Sequence, residues 1–317
     1  MKSNSSAIVD SPQVLCLRAP RRAGLWWGLL GVVAFSFTLP FTRIAVEGLP
    51  PLFVGAGRAV VAAMLAATAL AFTRQTLPCG RQWWRLAVVG LGVVAGFRLL
   101  TSVALATVPA SHGAVVIGVL PAATAVVTVL RTGERPSRGF WICSGLGALA
   151  AIGFAGVQGG VGALGGAALV FAAPSWADLL LFGAVLLAAI GYAEGGLLAR
   201  ELGAWQTVSW ALVVSFPVML AVTLAAIPDG FPSATPAQWL AFAYLAAVSM
   251  FLGFFAWYRG LAIGPMARVS QVQLVQPVLT LIWAAALLGE EISVPTVLGG
   301  TAVILCAGLA VRARITR

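Results

Sequence analysis

The chain has 317 residues, of which 61% are hydrophobic and only 9% charged. Soluble domains carry about 25% charged residues, so an apolar core wrapped in a polar shell cannot be assembled from this composition. The net charge of +10 belongs instead with the loops of a protein whose main solvent is lipid, which excludes a soluble enzyme, a disordered chain and a nucleic-acid binder.

Residues 1–23 are polar and basic and read as a tail. The apolar run that opens at Gly24-Leu25-Trp26-Trp27 continues past residue 40, and no small-residue cleavage site closes it, so it reads as an uncleaved first span. A spanning helix needs about 20 apolar residues. On that length the spans fall at about 24–45, 51–72, 86–106, 111–130, 138–158, 178–199, 203–227, 237–258, 267–288 and 292–311. Breakers such as Pro50-Pro51, Pro78, Pro109, Arg135-Pro136 and Gly264-Pro265 separate them. The units are a tail 1–23, a first five-helix repeat 24–158, a connecting loop 159–177, a second repeat 178–312 and a tail 313–317.

Orientation follows from the basic residues. With both termini placed on the cytoplasmic side, every Lys and Arg falls on that side except Arg43, which is outside, and Arg58 and Arg98, which lie within spans. That is a strong positive-inside pattern, and one missed helix would scramble it. The exposed-end tryptophans Trp26, Trp27, Trp83, Trp84, Trp176 and Trp239 read as interfacial belts. The four cysteines show neither metal spacing nor a disulfide pattern.

The segment Leu105–Ser137 lies on Leu261–Ser293 without a gap, at an offset of 156. Pro109 matches Pro265, Pro121 matches Pro277, Thr124 matches Thr280, and Gly133-Glu134 matches Gly289-Glu290. A duplication with five spans per copy forces the copies into opposite orientations, the inverted-repeat plan of many secondary transporters, with a site at the repeat interface near mid-membrane. Pro121 and Pro277 lie about 15 Å into spans four and nine. With Pro40 in span one they are the expected helix bends, serving either movement or packing alone.

The two span endings LRTGERPS (130–137) and LLGEEIS (287–293), each preceded by a mid-helix proline, resemble the drug/metabolite transporter superfamily, specifically its ten-span EamA-type members. The stretch AFSFTLPFTRIAVEGLPPLFVGAGR (34–58) is similar to that family's first two spans, with Arg58 at the usual second-span arginine. The resemblance implies an all-α membrane protein of ten helices in two inverted five-helix repeats, with a central cavity and alternating access. It also implies export, less often uptake, of small metabolites across a bacterial cytoplasmic membrane, without naming the substrate.

Ionisable groups inside spans cost about 2.5–3.5 kcal/mol each on insertion scales, so each asks for a reason. Arg58 and Arg98 lie about 10 and 12 Å below the outer ends of spans two and three, level with each other. At least one is expected to face the cavity and bind an anionic group such as a carboxylate; the alternative is an arginine that satisfies helix carbonyls. Glu194, about 9 Å above Arg200 and set among glycines beside Tyr192, is a candidate for proton coupling or for an amine contact, or else a hydrogen-bonded structural carboxylate. Gln273, Gln276 and Thr280, with Trp283 following, form a polar stripe on span nine whose counterparts in the first copy are mostly apolar; it either lines the cavity or bonds between helices. Tyr244, Phe251, Phe255 and Tyr258 share one face of an ideal span eight, as a pocket wall or as packing. His112, at the outer mouth of span four, reads as incidental.

No phosphate-binding glycine loop, HExxH, Ser/His/Asp set or paired zinc ligands occur, so neither a cofactor, a metal nor catalysis is expected. Span one lacks a mid-membrane carboxylate, since Glu47 lies at its outer end, which speaks against a small-multidrug mechanism. The expected partners are a small-molecule substrate and the bilayer, with a monomer as default and a homodimer left open. The leading reading is a secondary transporter of amino-acid-like or other small amphipathic solutes. A proton-coupled drug or cation effluxer using Glu194 and a non-transporting membrane sensor or subunit are the alternatives.

Overall fold

The structure is a computed structural model that describes residues 23–132, 135–139, 141–143, 145–147, 149–150, 175–227, 234–263, 272–312 and 315–316. The expected tail 1–22, most of the connecting loop, the start of span nine and the Gly133-Glu134 pair lie outside the described residues, as does much of span five.

The chain is an all-helical membrane protein. Among the described residues, seven helical stretches are long and apolar enough to cross a bilayer, and two shorter apolar helices, Val275–Leu288 and the start of Val294–Arg312, supply spans nine and ten. A helix is the form that satisfies its own backbone where no water can. Its apolar side chains face outward: Leu52, Leu91, Leu186, Leu240 and Leu305 are all exposed, while the closest helix contacts are made by glycine and alanine.

Local signals set the ends. Pro51 occupies the first turn of span two (Pro51–Phe72), where its missing N–H costs nothing. Capping boxes open span six (Trp176–Glu201), through Ser175 and Asp178, and span eight, through Thr235 and Gln238. Span three begins at Arg81, five residues before the apolar run, because Gly80 takes a left-handed turn (φ +44°) and the amphipathic stretch Arg81–Arg85 is already helical. Among the described residues the strand pairing is a two-residue antiparallel match of Arg135–Pro136 with Ile315–Thr316, which holds the ends of spans four and ten on one face.

Duplication is visible in three dimensions. Span three runs as Arg81–Val89, a π-helical Gly90–Gly96 and Phe97–Ala104; span eight runs as Pro236–Tyr244, a π-helical Leu245–Leu252 and Gly253–Ile263. The two π segments sit at equivalent positions of the repeat. Packing obeys the same exchange: span one lies against span eight and span six against span three, while span two packs on its counterpart span seven (Ala204–Ala225). These approaches are close enough to require glycine. A Cβ on Gly92 would strike the Leu187 carbonyl of span six, and one on Gly31 would come within 2.9 Å of the Trp257 backbone of span eight.

The π segment also overturns the single aromatic face expected on span eight. Its wider turn advances the helix phase, so Tyr244, ahead of it, leaves the face of the rings that follow. Tyr244 packs on Phe37 and Phe41 and donates to the Ala34 carbonyl (3.1 Å); Phe251 and Phe255 pair together, with Phe255 near Trp205; Tyr258 turns to Phe254.

Candidate functional site

Span one is interrupted at Phe37, between Ala23–Ser36 and Thr38–Val46. Pro40 lacks the N–H that would bond the Ser36 carbonyl four residues back. Thr280 of span nine supplies the replacement, its hydroxyl donating to that carbonyl at 2.9 Å. Trp283 donates from Nε1 to the Ser36 hydroxyl (3.0 Å) and stacks on Phe37 at 4.4 Å. The break in one repeat is therefore held by the polar stripe of the other.

Span four is likewise broken, into Ala110–Ile117 and Leu120–Thr132, just before Pro121, and span nine turns at 273–274, just before Pro277. The two prolines meet across a small central cavity of about 10 Å³, lined also by Leu39, Gln273, Gln276 and Thr280. That volume holds about one water, so the crevice between the repeats is nearly closed. Gln276 Oε1 is buried there with no hydrogen-bond partner among the described residues. The hydroxyl of Thr124, the repeat counterpart of Thr280, is also buried and unpartnered among them, though it does not line the cavity. Gln273, Gln276 and Thr280 thus share the cavity, whereas Trp283 faces span one.

The two buried arginines have different surroundings. Arg58 is 0% exposed and clamps three spans of the first repeat. Its guanidinium donates to the Thr42 hydroxyl (3.2 Å), the Arg98 carbonyl (3.0 Å) and the Ser102 hydroxyl (3.0 Å). Arg98 is 2% exposed, and its buried Nε has no hydrogen-bond partner among the described residues, as is also true of Arg58 Nε. It rests instead on rings, 5.1 Å from the Phe97 centroid and 5.7 Å from that of Phe254. Tyr192 of span six packs against Phe254 and lies within electrostatic reach of Arg98. Tyr258 completes the group; its buried hydroxyl has no partner among the described residues and sits over Gly195, where a Cβ would collide with it.

Glu194 is not with the glutamines. It lies in a second cavity of about 170 Å³ between spans three, four and six, near the arginine-rich ends of those spans. Its carboxylate accepts from Arg85 Nε and, at 3.0 Å, from Arg131 Nε. Arg85 reaches on to Glu201 with its Nη1. Two arginines of the first repeat are thereby tied to span six of the second.

Three polar contacts at the opposite face escaped sequence reasoning. The His112 ring lies 2.6 Å from Asp178, both buried, which joins spans four and six. The Ser175-x-x-Asp178 spacing was the available signal for the Asp. Glu290 accepts from the backbone N–H groups of Ala110 (2.8 Å) and Ser111 (2.9 Å), filling the first turn of span four. Gly289, left-handed at φ +63°, ends span nine and aims the chain there. Arg43, the lone basic residue expected outside, donates to the Leu105 and Ala106 carbonyls (2.8 and 3.0 Å) at the end of span three.

An apolar helical body made of two copies of one unit, with buried charge and aromatic rings where the copies meet and breaks at matching prolines, is a membrane transport protein and not an enzyme. The chain belongs to the EamA-like transporter family, which matches it twice, over residues 22–156 and 175–312. It is 44% identical over 285 residues to the uncharacterized transporter YdeK of Bacillus subtilis (strain 168), across 90% of this chain and 96% of that protein. It is 24% identical over 273 residues to a probable terminal-alkyne amino-acid exporter of Streptantibioticus cattleyicolor, across 84% and 86% of the two chains. A solved crystal structure shares its fold at a TM-score of 0.63 and 16% identity, covering 92% of this chain and 98% of its own.

Proposed function

We propose that this chain is a secondary exporter of small amphipathic carboxylates, amino-acid-like in character, working by alternating access in a bacterial cytoplasmic membrane with both termini inside. The observation that carries this reading is the buried Arg98 at the repeat interface, set against rings with no carboxylate partner and an unpartnered Nε among the described residues. A buried cation is stabilised in part by ring faces, by about 2 kcal/mol where water is excluded. A guanidinium matches a carboxylate in fork geometry, and the unpartnered Nε is a donor open to one. Phe97, Phe254 and Tyr192 would pack an apolar side chain beside it. The exporter named for a terminal-alkyne amino acid is a relative of that same chemistry.

The prolines suit the conformational cycle. Pro40, Pro121 and Pro277 mark breaks in the three spans that close the central cavity, so half-helices can swing without rupturing a continuous hydrogen-bond ladder. Glu194, between Arg85 and Arg131, acts as the gate on the cytoplasmic side. Its charge is matched in place by two guanidiniums, which supports a gate over a proton carrier.

The test is efflux of labelled amino acids with apolar side chains from proteoliposomes, against nucleosides and amines. Arg98→Ala is expected to abolish efflux and Arg98→Lys to retain a fraction of it, both at normal protein yield. Wild-type rates in Arg98→Ala would remove the carboxylate site, and absence of gradient-dependent flux for every class would favour a sensor.

A further inference from the structure

The cavity beside Glu194 carries groups beyond the Glu194–Arg85–Arg131 gate. Its walls include Arg81, Arg85 and Arg131 with Trp84 at the helix ends, and Val88, Val127 and Ile190 deeper along the same three helices. In each span the apolar member lies further from the arginine-rich face than the charged one. Val88 is seven residues beyond Arg81, Val127 four before Arg131, and Ile190 four before Glu194, or about 10, 6 and 6 Å at helical rise. The groove is therefore cationic at its mouth and apolar at its depth.

Its charge is not balanced internally. Glu194 is shared by Arg85 and Arg131, and Glu201 binds Arg85 again, so Arg81 and the Nη groups of Arg131 remain as donors at the mouth. Arg131 is 47% exposed and Trp84 70% exposed, so this end opens sideways, towards the headgroup level of a bilayer. At about 170 Å³ the cavity is an order of magnitude above the ~10–15 Å³ that admits one water, ample for a phosphate group.

We infer that this groove binds an anionic glycerophospholipid of the adjoining leaflet, its phosphate against Arg81 and Arg131, its glycerol beside Trp84, and an acyl chain along Val88, Val127 and Ile190. Basic pockets between helices at the cytoplasmic level are the general setting for such headgroups. The bound lipid bridges spans three and four of the first repeat to span six of the second.

Native mass spectrometry of the delipidated full-length protein tests this, titrated with phosphatidylglycerol, phosphatidylcholine or glycerol 3-phosphate. Phosphatidylglycerol is expected to be retained roughly tenfold better than phosphatidylcholine, with no adduct from glycerol 3-phosphate at equal concentration. Arg81→Gln/Arg131→Gln should bring phosphatidylglycerol down to the phosphatidylcholine level, while Arg81→Lys/Arg131→Lys keeps part of the preference and so excludes simple misfolding. Equal retention of the two lipids, a preference that survives the Gln pair, or saturation by glycerol 3-phosphate alone would each overturn the assignment. None of these readouts depends on efflux, so they stand apart from the Arg98 site.

Discussion

Arg98 and Phe254 occupy the same position in the two repeats and touch each other, guanidinium carbon to ring centroid at 5.7 Å. A residue meets its own counterpart only on the axis that exchanges the copies. Duplication made one position and divergence filled it with a cation on one side and a ring on the other. That axis position thus carries a buried guanidinium set against a ring.

Phe254→Leu keeps the volume near Arg98 but removes the ring face. Efflux efficiency is expected to fall several-fold, within the ~2 kcal/mol a desolvated cation–π contact supplies, with thermal stability of the purified protein close to normal. Unchanged efflux would mean that the ring only fills space.

Arg58 is expected to behave in the opposite sense. Removing it leaves the buried Thr42 and Ser102 hydroxyls and the Arg98 carbonyl short of a donor, each worth about 1–3 kcal/mol. Arg58→Ala should therefore lower the melting temperature and yield sharply for any substrate. A stable Arg58→Ala protein with selective loss of carboxylate efflux would move the binding role to Arg58.

Thr280→Val is nearly isosteric and deletes the donor to the carbonyl that Pro40 leaves free. A loss of about 1–3 kcal/mol in stability is expected, and Thr280→Ser should restore most of it. Equal melting curves for Val and Ser would show that another group satisfies Ser36.

Glu194→Gln releases Arg85 and Arg131 and loosens the contact between the repeats on that face. Alkylation of a cysteine placed at Ala193, which lines the same cavity, should speed up several-fold in a background free of the four native cysteines. The gain is modest because Arg131 is half exposed and its pairing screened. Slower or unaltered labelling would argue against a gate.

Glu290→Ala uncaps the first turn of span four and is expected to cost about 0.5–2 kcal/mol, less for Glu290→Gln, which keeps one acceptor oxygen. Thermal melting at low salt reads the difference between the two.

Helix content, the positions of the described spans to within about five residues and the doubling were legible in the chain, and for one reason. Lipid leaves a backbone no option but the helix, and the sums that report it, apolar length and the sidedness of arginine, are local along the sequence. Matching prolines at one offset are local in the same way. The placement of Arg58, Arg98 and Glu194 inside spans was equally plain from composition.

What each of those three groups faces was decided by tertiary structure alone. Arg58 and Arg98 share a depth and a charge, yet one donates to hydroxyls of spans one and three and the other rests on rings. The π turns of spans three and eight shift the phase of every side chain beyond them, so faces drawn on an ideal helix fail there. His112 with Asp178, and Glu290 with span four, pair residues 66 and about 180 positions apart. Such contacts arise only when two folded copies are brought together, because hydrogen bonds and ion pairs act over a few ångströms of space and leave no periodic mark on the chain.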